Sequence, residues 1–225
     1  MIHLLLTALL ALGSPAPSNQ QDVSFVSKDG NVVTGTISWP AGNAERNLAF
    51  VLIGEPEAAP ATAAALNTAG LTVLRYDARG IGTPSDVDDA EAAVAAIKKD
   101  PHADPTRVYL FARGAGAPIA MAAALDAGAA ISGIVLASPV LARTATFDPQ
   151  RDIAKLEVPV LLLHGGADTQ VSAADLKAFA AAARAARHSL QYGEFAGDDH
   201  LLEAVPPAFD PRAVAAIIAW LAETQ

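Results

Sequence analysis

Four short segments of this 225-residue chain combine turn residues with side chains that can do chemistry, and each follows an apolar run typical of a buried strand. They are Asp77-Ala78-Arg79-Gly80-Ile81-Gly82, Ala112-Arg113-Gly114-Ala115-Gly116, His164-Gly165-Gly166-Ala167-Asp168 and Gly197-Asp198-Asp199-His200. In open α/β sheets, ligands and reacting groups collect where strands end and helices begin. The sequence therefore predicts one site built from these segments.

The residue types at these positions narrow the chemistry. The chain has no cysteine, which excludes disulfides, thiolate metal sites and a cysteine nucleophile. Asp198 and Asp199 beside His200 resemble metal ligands, but the other histidines show no ligand spacing such as H-x-x-x-H, so we expect no metal. No glycine-rich phosphate loop or dinucleotide fingerprint is present, so we expect no cofactor. Arg113 can attract an anionic ligand, although an arginine in such a place is more often simply exposed.

The elements around these segments predict a single α/β domain over residues 23–225. Predicted strands cover 23–27, 32–39, 48–53, 71–76, 107–112, 131–137 and 158–163, with one more ending near 195, and predicted helices cover 57–69, 86–99, 115–127, 172–187 and 211–223. Lys28-Asp29-Gly30-Asn31 is typical of a hairpin turn, so the first two strands should be antiparallel. Strands that alternate with helices indicate a mostly parallel sheet of about eight strands, with helices on both faces.

Composition excludes other classes of protein. The 52% hydrophobic share with only 17% charged residues excludes a disordered chain. The net charge of −9 argues against nucleic-acid binding, which needs clustered lysine and arginine.

The N-terminus carries an uncharged run, Ile2 to Leu12, followed by a Pro-Ala-Pro stretch. The run is too short to span a bilayer, which takes about 20 apolar residues, and has the length of a signal-peptide core. We expect a signal peptide over 1–13, a flexible segment over 14–22, and export to the periplasm or medium without a stable membrane anchor. The alternative is a buried first helix or strand in a cytoplasmic protein.

The order and spacing of the four segments resemble the α/β-hydrolase fold, from about residue 22 onward. The resemblance is to bacterial esterase-like and serine-aminopeptidase-like members, and it rests on residues 71–82, 104–121, 147–171 and 197–202. In that family a serine at a strand-to-helix elbow is followed in the chain by an acid and then a histidine. The resemblance places the acid at Asp168, which would orient the imidazole, and the histidine at His200, which would act as general base and then general acid. Alternatively, Asp168 caps the helix near Val171 and His200 is a surface residue.

The resemblance places the nucleophile at position 114, where this chain has glycine. Small residues two positions before and after it allow the elbow to persist, and glycine adopts a positive φ without strain. Without an Oγ, however, no acyl-enzyme can form there. Three hydroxyl residues follow neighbouring strands (Thr83, Ser85 and Ser138), but none lies in a turn that would expose it as a replacement.

The loop after the third strand also departs from the family pattern in a way that weakens catalysis. The family usually has His-Gly there, and the following N–H helps to bind the oxyanion. This chain has Glu55 and Pro56, which bring a negative charge and lack an N–H. Only the Ala115 amide remains as a donor, and the loss of one donor costs about 3–4 kcal/mol of transition-state stabilisation.

Three functions follow from these observations. The favoured one is a catalytically impaired relative of acyl hydrolases that binds a small acyl or peptide-like ligand or a protein partner. The second is an active hydrolase in which Asp168 and His200 activate water directly, since a positioned base alone contributes about 10²–10⁴-fold. The third is an interaction module whose matching residues are remnants.

Overall fold

The computed structural model describes residues 18–42, 46–54, 59–77, 79, 84–127, 131–143, 148–203 and 208–224. Within these ranges an eight-stranded sheet forms the centre of the molecule, in the order β1-β2-β4-β3-β5-β6-β7-β8. The strands are β1 (Ser18–Val26), β2 (Val32–Pro40), β3 (Asn47–Ile53), β4 (Thr72–Tyr76), β5 (Ala103–Arg113), β6 (Gly133–Ala137), β7 (Val160–Gly165) and β8 (Leu190–Phe195). β1 and β2 form an antiparallel hairpin, β2 lies antiparallel to β4, and β3 to β8 are parallel. The predicted α/β architecture is confirmed.

Helices cover both faces of the sheet, which explains why the middle strands are continuous apolar runs. The helices are α1 (Ala59–Thr68), α2 (Pro84–Ile97), α3 (Ala117–Ala127), α4 (Pro149–Asp152), α5 (Ala173–Ala185) and α6 (Pro211–Glu223). Leu66 of α1 and Trp220 of α6 pack with Phe50 of β3 on one face. Met121 of α3 and Phe179 of α5 belong to the cluster on the other face. Every residue of β3 is buried between these layers.

The first strand begins earlier than the sequence predicted. The expectation was a strand from Val23 and a flexible segment over 14–22, but β1 already begins at Ser18. The reason is the length of its partner: β2 continues to Pro40, and the hairpin register pairs Ser18 with Pro40. The prediction is therefore wrong for residues 18–22. Residues 14–17 and the predicted signal peptide lie outside the described residues. None of the helices described is both long and apolar enough to span a membrane.

Candidate active site

The carboxyl ends of β5, β7 and β8 meet at one edge of the sheet, because these strands are parallel. The turns that follow them carry Gly114, Asp168 and His200. The sheet thus brings segments separated by up to 86 residues in the chain to the same edge.

Asp168 and His200 form a buried hydrogen-bonded pair. His200 Nδ1 lies 2.9 Å from Asp168 Oδ2, and the Asp168 side chain is fully buried. The other carboxylate oxygen, Oδ1, accepts hydrogen bonds from the amides of Gln170 (2.7 Å) and Val171 (3.1 Å). Burial alone would raise the pKa of Asp168, but the hydrogen bonds from His200 and the two amides bring it below its ordinary value. The carboxylate therefore stays charged and can hold the imidazole in one tautomer.

The alternative interpretation, in which Asp168 caps the helix near Val171, is wrong, although the same carboxylate does stabilise the turn that leads into α5. Its Oδ1 holds the turn before α5, while the N-cap of that helix is Ser172, whose hydroxyl accepts from the Asp175 amide. His200 is only 6% exposed, which is contrary to the alternative of a surface loop residue.

Backbone contacts fix the Asp168 turn against the His200 turn. The Ala167 amide donates to the Asp198 carbonyl at 2.8 Å. A Cβ at Gly165 would lie 2.0 Å from the Asp199 carbonyl oxygen, so no side chain fits between the two turns. The glycine is required for this close approach, and the approach sets the distance between Asp168 and His200.

The two aspartates before His200 have protein partners rather than metal-ligand geometry. Asp199 Oδ1 accepts from the Leu201 amide at 2.9 Å and closes the turn. Asp198 is fully buried and accepts from Arg212 of α6, which also binds Asp210. Burial and the neighbouring Asp210 carboxyl raise the pKa of Asp198 to about 6. No group of three or more potential metal ligands is found in the described parts of the chain.

Gly114 lies at a sharp turn between β5 and α3. Its φ of +51° is in the left-handed region, and residues 114–116 form a single 3-10 turn before the helix. The turn packs tightly on the end of β3: a Cβ at Gly116 would lie 2.6 Å from the Ile53 carbonyl oxygen, and one at Gly54 would lie 2.6 Å from the Arg113 carbonyl oxygen. The backbone thus has the strand-turn-helix form of a nucleophile elbow. Ala115 is half-buried in this turn, and Glu55 and Pro56, the predicted oxyanion loop, lie outside the described residues.

Arg113 differs from its prediction as an exposed residue. It is 3% exposed, and its guanidinium lies between the rings of Phe111 and Phe209, 5.8 and 5.3 Å from their centroids. It donates to the Leu201 carbonyl and, at 2.9 Å, to Thr62 Oγ1. Arg113 thereby joins the elbow to the segment that follows His200. The sequence has no local signal for this contact, because the two acceptors are 88 and 51 positions away in the chain.

A groove of about 410 Å³ lies between the segment after β6 and the start of α5. Its lining includes Val140, whose amide donates to the Gly114 carbonyl at 2.9 Å, and also Gln170 and Val171, whose amides bind Asp168. Its lining combines apolar residues (Val140, Leu141, Val171 and Leu176) with polar and charged ones (Arg143, Asp148, Gln150, Gln170, Ser172 and Asp175). The groove is therefore lined by residues that hydrogen-bond to the elbow and to the acid, although Gly114, Asp168 and His200 are not themselves part of its lining.

Comparison with known proteins supports the fold. The sequence model for the serine aminopeptidase S33 family matches residues 57–150. No curated protein matches the sequence. Among solved structures, the chain is similar to a fungal esterase from Rhizomucor miehei, with a TM-score of 0.77, 16% identity and 95% and 84% of the two chains covered.

Two bacterial structures extend the similarity. A putative dienelactone hydrolase from Klebsiella pneumoniae has a TM-score of 0.72 and 15% identity, with 92% and 99% covered. Dipeptidyl peptidase 4 from Porphyromonas gingivalis has a TM-score of 0.69 and 14% identity; 92% of this chain is covered, but the chain spans only 35% of that protein. The sheet order, the elbow and these similarities together show that the chain has the α/β-hydrolase fold.

Proposed function

We propose that this protein is a catalytically impaired relative of acyl hydrolases that keeps the site to bind a ligand. One observation carries the proposal. A buried Asp168–His200 pair stands at the same sheet edge as an elbow whose central residue, Gly114, has no side chain. An imidazole so oriented can accept a proton, but an acyl-enzyme needs an oxygen nucleophile at the elbow.

The groove supports a small acyl or peptide-like ligand. Its volume of about 410 Å³ is within the range of small-molecule sites. Val140 and Leu141 offer apolar surface for a short chain, while Gln150 and Gln170 carry amides suited to a carbonyl or peptide group. Arg143, on the rim, is paired with Asp148 and adds little net charge. Asp175 also lines the groove and leaves it with a net negative charge, so this lining disfavours an anionic ligand.

A second candidate function is hydrolysis in which His200 activates water without a covalent intermediate. The 2.9 Å contact with Asp168 favours it, because that contact stabilises the imidazolium formed when His200 accepts a proton. The expected rate is low, since a general base alone contributes about 10²–10⁴-fold.

Hydrolysis of a short p-nitrophenyl ester separates the two candidates. The assay compares the chain as it stands with Gly114→Ser and His200→Ala. We expect the unaltered chain and His200→Ala to match the uncatalysed rate. Gly114→Ser should gain turnover, because it restores an oxygen nucleophile at the elbow. Turnover by the chain as it stands that disappears in His200→Ala contradicts the proposal and supports water activation.

Ligand binding is tested in the same proteins by thermal unfolding with short acyl amides and dipeptide amides. A ligand that binds only the native state stabilises it by RT ln(1 + [L]/Kd). We expect stabilisation that is lost when Val140→Asp places a charge in the groove. Lack of stabilisation by all of these compounds would favour the interaction-module alternative.

We also propose that the protein is exported. The apolar run Ile2 to Leu12 and the small residues after it support removal of residues 1–13. Expression of the full chain in a bacterial host, followed by N-terminal sequencing of the periplasmic and cytoplasmic fractions, tests this. An intact N-terminus in the cytoplasm contradicts it.

A further inference from the structure

His164, the last residue but one of β7, is a buried imidazole at the candidate site. It is 2% exposed, and its Nε2 lies 3.7 Å from Asp168 Oδ2, the same oxygen that His200 binds. Two histidines thus approach one carboxylate from different elements. The sequence interpretation gave His164 no role.

Neither ring nitrogen of His164 has a hydrogen-bond partner among the described residues. A buried polar group without a partner costs about 1–3 kcal/mol, so an apolar residue would serve better if the position only filled space. The 3.7 Å separation from Asp168 is slightly beyond hydrogen-bond range. A side-chain movement of less than 1 Å would bring Nε2–H into a hydrogen bond with Oδ2.

Ser138 lies beside His164 on the neighbouring strand and is unusual in two ways. β6 and β7 pair Ala137 with Leu163, and the Ser138 amide donates to the Leu163 carbonyl at 2.8 Å, which places Ser138 laterally next to His164. Its φ of +42° is in the left-handed region, which costs a residue other than glycine about 1–3 kcal/mol. Its hydroxyl is also buried and without a partner in the described chain.

We propose that His164 is a positioning residue for Asp168 and, through it, for His200. Its Nε2–H donates to Asp168 Oδ2, and the Ser138 hydroxyl donates to its Nδ1. The buried polar atoms of Ser138 and His164 then find partners in a single chain of hydrogen bonds that ends at His200. This proposal rests on the proposed function only in taking Asp168 and His200 as the working pair.

The other charged group near His164 does not compete for it. Glu194 of β8 is the lateral neighbour of His164 in the register, but its side chain is exposed. The Glu194 carboxylate pairs with Lys177 at 3.1 Å and accepts a hydrogen bond from the Tyr192 hydroxyl at 2.9 Å. Asp168 is therefore the buried carboxylate available to the imidazole.

The test is an NMR titration of His200 in the full chain labelled with ¹⁵N-histidine, which needs no substrate. A donor on Asp168 withdraws part of the carboxylate charge that stabilises the His200 imidazolium. We therefore expect His164→Leu to raise the pKa of His200 by roughly 0.4–1 unit. His164→Gln, whose amide can donate, should restore most of the parent value, and Ser138→Ala should move the pKa of His200 in the same direction as His164→Leu, by less.

The matched control is His188→Leu, which removes a partly buried histidine just before β8, at the opposite edge of the sheet, and should leave His200 unchanged. A His200 titration in His164→Leu and Ser138→Ala that coincides with the parent overturns the proposal. A His164→Gln variant that behaves like His164→Leu overturns it too, because the donor would then be irrelevant. If His164→Leu does not fold, His164→Met, which also lacks a donor, replaces it. The titration measures no turnover, so its outcome tests the role of His164 independently of the ester assay, which tests the proposed function.

Discussion

Replacing Gly165 with alanine should separate the Asp168 turn from the His200 turn. The new Cβ would lie 2.0 Å from the Asp199 carbonyl oxygen and 2.6 Å from that of Asp198, whereas ordinary contact begins at 3.4 Å. The turns must therefore part by about 1.4 Å. A movement of that size exceeds what the 2.9 Å contact between His200 and Asp168 can absorb.

We expect Gly165→Ala to lose about 2–4 kcal/mol of unfolding free energy, the sum of overpacking and a broken backbone hydrogen bond. The matched control is Gly193→Ala on β8, where the new Cβ meets its neighbours at 3.5 Å and the change should stay within about 1 kcal/mol. Urea denaturation measures both, and the Nδ1 proton signal of His200 reports the contact with Asp168. If Gly165→Ala matches Gly193→Ala in stability and keeps that signal, the close approach does not set the site geometry.

Two further predictions concern the residues that hold the His200 segment. Arg113→Met should lower the unfolding free energy by about 2–4 kcal/mol in urea denaturation, because the Leu201 carbonyl loses a buried donor; a loss below about 0.5 kcal/mol would contradict the buried contact. Asp198 has its pKa raised to about 6, so the native state holds a proton that the unfolded state releases, and stability should fall as the pH rises from about 4 to about 6. Asp210 has a lowered pKa, so it has the opposite effect: its contribution to stability is lost as the pH falls below about 4. Asp198→Asn should abolish this decrease in stability between about pH 4 and about pH 6. If the decrease persists in the variant, another titrating group causes it.

Most of the fold could be predicted because its signals are local. The apolar runs of β3 and β7 match strands buried on both faces, and the Asp29-Gly30 turn fixes the hairpin. The start of β1 at Ser18 could not be predicted, because a polar stretch becomes a strand only through pairing with the end of β2. The short α4 was not predicted either, since a single turn has no periodic pattern.

The candidate site could be predicted in part, for the same physical reason. Asp168 and His200 follow strands whose parallel pairing brings their ends together, and the resemblance to α/β-hydrolases was what singled out these two residues as a pair. The burial of Arg113 and the approach of His164 to Asp168 depend on side-chain directions that spacing does not reveal. The raised pKa of Asp198 likewise depends on Asp210, which arrives from the start of α6.

The most direct test of the central claim is covalent labelling by a fluorophosphonate, read by intact-protein mass spectrometry. The claim is that Asp168 and His200 are a working acid–base pair and that the nucleophile at position 114 is missing. We predict no adduct on the chain as it stands and one adduct on Gly114→Ser. The double variant Gly114→Ser with His200→Ala should react at least about 100-fold more slowly. An adduct on the unaltered chain, or labelling of Gly114→Ser that does not depend on His200, would contradict the account.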